Sequence, residues 1–364
     1  MLDEKKEIRD TIFSGSLYMF HAFDVGDDIN LEKVKASGSV TTLPLTLSKY
    51  FKNYHIPLVF DLPDDVKNTD YPLFSGKIHS FGAVSLVYKI PFKDTLENVR
   101  KNLETLDHTY DEISLIDIEN TFKRLKPFIA KPFFFHTHSS YVLIQLDPMP
   151  DKFDTVQLKD LYGGVIASML RFETESLSEI QKDEILAEAF GYYRGDLVVI
   201  DTDAVFIYDD EYQETVEFVE FANVQHCELR YFDRTLDQQL NSIYEGRTRA
   251  VPFKAYLPFI GTMSKKPIDD LSKLKVDISV IAERLEGSIK LAGEPYYSEL
   301  YAMLVEKREL KNLREAIDKK LAIMRDVVLT LQKKVDAARE DMLTVSIIIL
   351  ICIELIIGLL DYLK

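Results

Sequence analysis

Two cysteines in 364 residues leave no room for a disulfide framework. Cys227 falls in a predicted helix and Cys352 in a long apolar run, so the two are poorly placed to pair and a reducing compartment is expected. No GxxxxGK(S/T) loop, no GxGxxG after a strand, no GxSxG elbow and no HExxH occurs, which removes the familiar nucleotide, α/β-hydrolase and zinc-protease chemistries. Gly163 and Gly164 sit inside a helical pattern and make a weak phosphate loop. Positive charge is also short. Against 60 acidic residues stand 44 basic ones, and the net of −16 argues against broad attraction to nucleic acid or to an anionic lipid surface. The opening MLDEKKEIRD lacks the basic and apolar regions of a secretory signal, and its acidic residues disfavour a transit peptide. No cofactor is expected, and an enzymatic role is less expected than a non-enzymatic one.

What the chain does contain is one long apolar run. Met342 to Leu360 reads MLTVSIIILICIELIIGLL, nineteen residues that at about 1.5 Å each span most of a hydrocarbon core of roughly 30 Å. The expected protein is tail-anchored in the cytoplasmic membrane, with the residues before the span in the cytoplasm. Between Val305 and Asp341 ten Lys or Arg face eight Asp or Glu, a net of +2, which agrees with the positive-inside tendency.

Hydrophobic content of 46% supports a sizeable core. Strand patterns at Ser16 to Val25, Gly82 to Pro91 and Phe133 to Leu146 alternate with helical stretches at Leu31 to Lys35, Thr95 to Leu106, Asp117 to Leu125, Val156 to Leu170 and Ser178 to Ala189. A hairpin follows, with the polar turn Asp201-Thr202-Asp203 between two apolar strands. The fold class read from this order is an α+β (or α/β) domain over residues 1–210, then a helical hairpin over 211–295, a coiled-coil stem over 296–341 and a transmembrane helix over 342–360. The stem is expected to begin near Tyr296 as one unbroken helix. Its stripe Ile317, Leu321, Met324, Val328, Leu331, Val335 and Ala338 steps by four and three and continues into Met342 and Val345. Both a three-helix bundle within one chain and an oligomer seam between copies satisfy that stripe.

Four groups of residues invite chemistry. Glu354 stands inside the apolar run, where an ionised carboxylate costs several kcal/mol; it is read as a contact between helices of an oligomer, as a tolerated neutral acid, or least of all as part of an ion path. His136 and His138 flank Thr137 and would point to one side of a strand, a spacing that metal ligands use, although ordinary strand histidines are the stronger reading. Asp201 and Asp203, with Asp209 and Asp210, can surround a hard cation, but Asp also belongs at such turns for local hydrogen bonding. Glu220, Asn223, Glu228, Arg230 and Asp233 can line a buried polar seam between helices, but a solvated face with internal pairs is the stronger reading.

The segments GDLVVIDTDAVFIYD, FVEFANVQHCELRYFDRTLDQQL, LEGSIKLAGEPYYSELYAMLVEKREL and ILICIELIIGLL, which run from Gly191 to the C-terminus, resemble the "required for meiotic nuclear division" family. That resemblance implies an α/β domain with helical hairpins and a single C-terminal span. It also implies oligomerisation through the coiled region and no established catalytic site. The expected function is a non-enzymatic membrane scaffold or adaptor that self-associates and presents an acidic cytoplasmic domain to a protein partner; the alternative is a ligand- or cation-responsive sensor or transport-associated subunit.

Overall fold

The computed structural model describes residues 11–43, 56–63, 67–134, 138–149, 153–193, 195–247 and 294–363, with isolated helical positions at 273, 276, 278–280 and 283. Eight strands form one mixed sheet in the order β2-β3-β4-β5-β1-β6-β8-β7. They are β1 (Phe13–Asp24), β2 (Thr41–Thr42), β3 (Leu58–Asp61), β4 (Leu73–Ile78), β5 (Ala83–Asp94), β6 (His138–Leu146), β7 (Leu197–Ile200) and β8 (Ala204–Tyr208). Among the described residues the α-helices with given bounds are α1 (Leu31–Ser37), α2 (Leu96–Leu125), α3 (Thr155–Leu170), α4 (Glu179–Leu186), α5 (Gln213–Arg247), α6 (Pro295–Lys307) and α7 (Leu310–Tyr362). The fold class is therefore mixed α+β, with one C-terminal helix long and apolar enough to cross a membrane, Glu340–Tyr362.

β1 is the axis of the sheet. It pairs antiparallel with β5 over its whole length, Phe13 against Asp94 through Asp24 against Ala83, and with β6 on its other side, where Phe23 faces His138. Among the described strands only β6 and β8 run parallel, Val142 opposite Ala204. Burial on both faces explains why β1 reads as a nearly continuous apolar run. Phe13, Leu17, Met19 and Phe23 join one core with Leu103, Tyr110, Ile113 and Ile118 of α2 and Leu158 and Ile166 of α3. The alternate face carries Tyr18, Phe20 and Ala22, and Tyr18 meets Tyr212 just before α5. At the β4–β5 turn Gly82 has φ +111 and lies so near Gly26 that an added Cβ would stand 1.9 Å from the Gly26 carbonyl oxygen, a place only glycine fills.

Three expectations change here. The stretches Thr95 to Leu106 and Asp117 to Leu125 are parts of one helix, α2, opened by the Thr95 side chain accepting from the Asn98 amide. Asp107, Asp111 and Ser114 broke the apolar period in the sequence because the helix sets them toward the sheet side rather than solvent. The third helix also breaks. Arg308 closes α6, Glu309 takes the left-handed conformation at φ 54, and α7 restarts at Leu310 without glycine or proline. The Phe133 to Leu146 strand begins at His138.

The chain gathers into two compact units, residues 1–231 with 284–312 and residues 232–283 with 313–364. The first holds the sheet. In the second, Phe232 and Leu236 of α5, Ile278, and Ile317, Leu321, Met324 and Val328 of α7 are all buried within the single chain. Lys320 bridges Asp233 and Asp237, each at 2.7 Å. The upper part of the proposed oligomer seam is thus already covered by its own chain, because the apolar stripe of α5 supplies the partner face. The side chains of Leu331, Val335 and Ala338 lie outside the described residues.

Candidate metal centre

The strongest convergence of chemistry-bearing side chains lies on the α2 side of β1 and β6. The pleat sends His21 of β1 and His138 of β6 to the same face, because His138 pairs with Phe23, two residues from His21. α2 crosses over them and delivers Asp111. One ligand atom from each of the three, all within 4.8 Å of one another, forms the group. His138 Nε2 makes a very short contact with Asp111 Oδ1, and His21 Nδ1 lies 3.7 Å from that same oxygen. The His138 ring is fixed from behind by stacking on Phe23, ring centres 4.8 Å apart.

His21 is fully buried, and neither ring nitrogen has a hydrogen-bond partner among the described residues. Burial, then the neighbouring His138, push it down to about 3, so it stands as neutral imidazole with a lone pair to offer. Asp111 is held below the ordinary carboxylate range, chiefly by its bond to His138 and then by His138, His21 and His108 as charges. Asp107, one turn earlier on α2, is raised to about 6 by burial and by Asp111 and Asp203. Two imidazoles and a carboxylate suit borderline transition metals such as zinc, cobalt, nickel or iron, and suit magnesium or calcium poorly. Ligands at about 2.1 Å from a tetrahedral ion stand about 3.4 Å apart, so a small rotation of the three side chains closes the group around one ion.

The sequence candidates fall around this centre unevenly. His138 belongs to it together with His21, while His136 lies outside the described residues. Asp203 comes near through Asp107. Asp201 does not: it is buried, bound to the Arg171 Nε–H, and its Oδ1 accepts from the Thr202 amide 2.9 Å away, the local turn bonding expected of such an Asp. Asp209 caps the Glu211 amide at 2.9 Å. Glu354 is on the exposed apolar part of α7.

The helix face expected in solvent is instead packed on the other side of the sheet. Glu220, Asn223 and Glu228 are buried, and α5 spends the first two on specific partners. Lys77 reaches Glu220 at 2.6 Å, and Asn223 Nδ2 donates to the carbonyls of Ser139, 2.8 Å, and Phe20, 3.3 Å. Arg308 enters the same network. Its guanidinium donates to the Thr202 carbonyl at 2.9 Å, Ser139 Oγ at 2.7 Å, Asn223 Oδ1 at 3.1 Å and His226 Nδ1 at 2.8 Å, and lies 4.4 Å over the Tyr141 ring. Burial and the Arg308 charge hold His226 down at about 3, which leaves its Nδ1 free to accept.

Glu228 and Asp24 are a costly buried pair. Burial, reinforced by Asp24 and Asp27, drives the Glu228 carboxyl well above its usual range, and burial raises Asp24 to about 8. The folded chain therefore keeps protons that the unfolded chain has released, and stability falls as pH rises through this window. The buried His21, His79 and His226, each lowered to about 3, act the opposite way but only below about pH 6.5. Between pH 6.5 and 8 the carboxyls act alone, and unfolding stability is expected to fall as pH rises across that interval. Glu228→Gln should flatten that fall in urea melts at the two pH values; an equally steep fall in the variant would contradict it.

Against known proteins, the relative "Uncharacterized protein MJ0711" of Methanocaldococcus jannaschii is 23% identical over 198 residues, 54% of this chain and 59% of that protein. The matched stretch thus spans less than two thirds of that relative's own length. No solved structure matches. A family model, described as Uncharacterized protein MJ0711, N-terminal domain, matches residues 14–214, from the first residues of β1 to the first turn of α5, and so includes His21, Asp111 and His138. With more than half of its length matched, the chain belongs to the MJ0711 N-terminal domain family.

Proposed function

We propose that this chain is a membrane-tethered regulatory adaptor whose sheet domain responds to a divalent transition metal held by His21, Asp111 and His138. The observation that carries the reading is the fully buried imidazole of His21, with both nitrogens unpartnered among the described residues and aimed at a carboxylate and a second imidazole. A buried polar ring without a bond is costly, and a metal is the partner that makes three such groups compatible at once. Three protein ligands leave coordination positions for water or an exogenous ligand, so occupancy can be sensed without any catalytic step. Loading the purified full chain with cobalt(II) is expected to give one equivalent and the visible bands of a low-coordinate site. His138→Ala and Asp111→Ala should each weaken binding by about 100-fold or more, since even outer-shell partners of metal ligands are worth about 10- to 100-fold. A chain that takes up no cobalt, zinc, nickel or iron(II) sinks the reading.

A second observation bears on the tether. Glu340–Tyr362 is apolar and uncovered by the rest of the chain, which supports insertion in the cytoplasmic membrane with the sheet domain on the cytoplasmic side. Self-association is then assigned to this lower part of α7, including Glu354, rather than to Ile317 to Val328, whose side chains are occupied. The tethering role implied by the resemblance to the "required for meiotic nuclear division" family is proposed on the same footing, as is recruitment of a cytoplasmic protein by the acidic domain. Leu321→Asp is accordingly expected to unfold the helical unit rather than to separate copies.

A further inference from the structure

The face of α2 that delivers Asp111 to the metal centre carries two more groups of chemical use. Tyr110 precedes Asp111 in the chain, and Asp117 follows Tyr110 by about two turns along the same side. Both are buried. β5 brings Tyr88 to meet them, because Tyr88 pairs with Met19, two residues from His21, and so stands on the same face of the sheet. Tyr88 is fully buried, and its hydroxyl donates to Asp117 Oδ2 at 2.8 Å.

The rings form a continuous series that starts at a metal ligand. His21 and Tyr88 have ring centres 5.9 Å apart, Tyr88 and Tyr110 5.2 Å, and Tyr110 and Tyr71 5.5 Å. These are separations of rings in contact. Tyr71 is partly exposed, so the series ends at solvent. Phenylalanine would pack as well at such places, but only a phenol can release an electron and a proton together. Burial and then Asp117 hold the Tyr88 hydroxyl well above its usual range, so it keeps its proton until the ring loses an electron. Burial also raises the Asp117 carboxyl, which makes it a stronger base for that proton.

Two imidazoles and one carboxylate with open positions are the ligand set of non-haem iron(II) sites that activate oxygen compounds. Access to the centre is one-sided. The His21 side chain is 1% exposed, His138 14% and Asp111 36%, so an incoming molecule passes Asp111 and has to be small. Resting on the metal site proposed above, we infer that the centre loaded with iron(II) reduces hydrogen peroxide, Tyr88 giving the second electron and Tyr110 and Tyr71 carrying the oxidising equivalent to the surface. The O–O bond breaks and both oxygens leave as hydroxide. Iron(II) gives one electron and becomes iron(III); Tyr88 gives the other and becomes a neutral phenoxyl radical, its proton passing to Asp117 Oδ2. Tyr71 then loses an electron to Tyr88 by way of Tyr110 and a proton to water, while Asp117 returns its proton to Tyr88.

The test is freeze-quench electron paramagnetic resonance on the full chain in detergent micelles, loaded with iron(II) without air and mixed with hydrogen peroxide. An iron(III) signal and an organic radical should rise together, and growth on ring-deuterated tyrosine should narrow the radical's lines. Tyr88→Phe keeps the ring and should bind iron yet lose the radical. Asp117→Asn still accepts from the Tyr88 hydroxyl but is no base, and should cut the radical yield with iron binding unchanged. Tyr71→Phe, at the partly exposed end, should keep the radical and slow its removal by ascorbate. Cobalt(II) uptake by the same preparation separates the two readings: with neither cobalt nor iron bound, the metal site itself fails. Cobalt uptake without iron, iron without a radical, lines indifferent to the label, or the same radical in Tyr88→Phe and Asp117→Asn overturns the peroxide step alone, the last marking random oxidation of other tyrosines.

Discussion

Ending the chain at Asp341 is expected to move it from the membrane pellet to the soluble fraction. The removed segment holds thirteen Ile, Leu and Val residues between Met342 and Leu360 and a single carboxylate, Glu354. On the insertion scale each of those apolar residues gains about 0.3–0.6 kcal/mol and a central acidic residue costs about 2.5–3.5 kcal/mol. The sum favours the bilayer by a few kcal/mol, so the apolar residues outweigh Glu354. Within the chain, the exposures of Ile347, Leu350, Leu355 and Leu359 all exceed 50%, and a soluble protein would leave that surface in water. Alkaline extraction of membranes from cells making either form measures the difference. A truncated chain that still pellets would put the attachment elsewhere. Glu354→Leu should hold the full chain in the membrane more firmly, and if Glu354 joins helices it should also lower the oligomer mass in detergent.

The sequence was legible wherever one kind of burial dominated. β1, β5 and the β7–β8 hairpin stood out because their side chains are buried in long runs, as in LVVI and AVFIY. The edge strands β3 and β4 did not, since LVFD is short and LFSGKI mixes exposed and buried positions. Charge was the poorer guide. Glu220 and Glu228 look like solvent-facing residues in any helical wheel, and only the lysine of β4 and the sheet over which α5 lies explain their burial. The candidate metal centre was half visible. His138 was read beside His136, whereas the neighbour it has among the described residues, His21, is set by the register of β1 on β6 and by where α2 crosses. The local clue was a histidine in the otherwise apolar SLYMFHAF, together with Asp107 and Asp111 one turn apart.

Arg308→Ala is expected to destabilise the sheet unit by about 3 kcal/mol, comparable to breaking a buried charged group's bonds elsewhere. The guanidinium is 5% exposed and joins four polar atoms from three parts of the chain: Thr202 of the β7–β8 turn, Ser139 of β6, and Asn223 and His226 of α5. No carboxylate touches it among those contacts, so the charge is carried by neutral acceptors and by the Tyr141 ring. Removing it strands the Thr202 carbonyl and weakens the acceptance by Asn223 Oδ1, which Ser139 Oγ alone then satisfies at 2.6 Å. Lysine restores the charge but has no planar fork to reach the turn and α5 together, so Arg308→Lys should recover less than half of the loss. The break between α6 and α7 follows from the same contact. A continuous helix would carry position 308 along its axis, whereas the left-handed Glu309 lets the chain turn once Arg308 is seated. At about 2–4 °C per kcal/mol for a unit of this size, the melting temperature should fall by about 6–12 °C. A variant melting within a degree or two of the parent would mean that the network tolerates water in place of the guanidinium, and that the helix break has another cause.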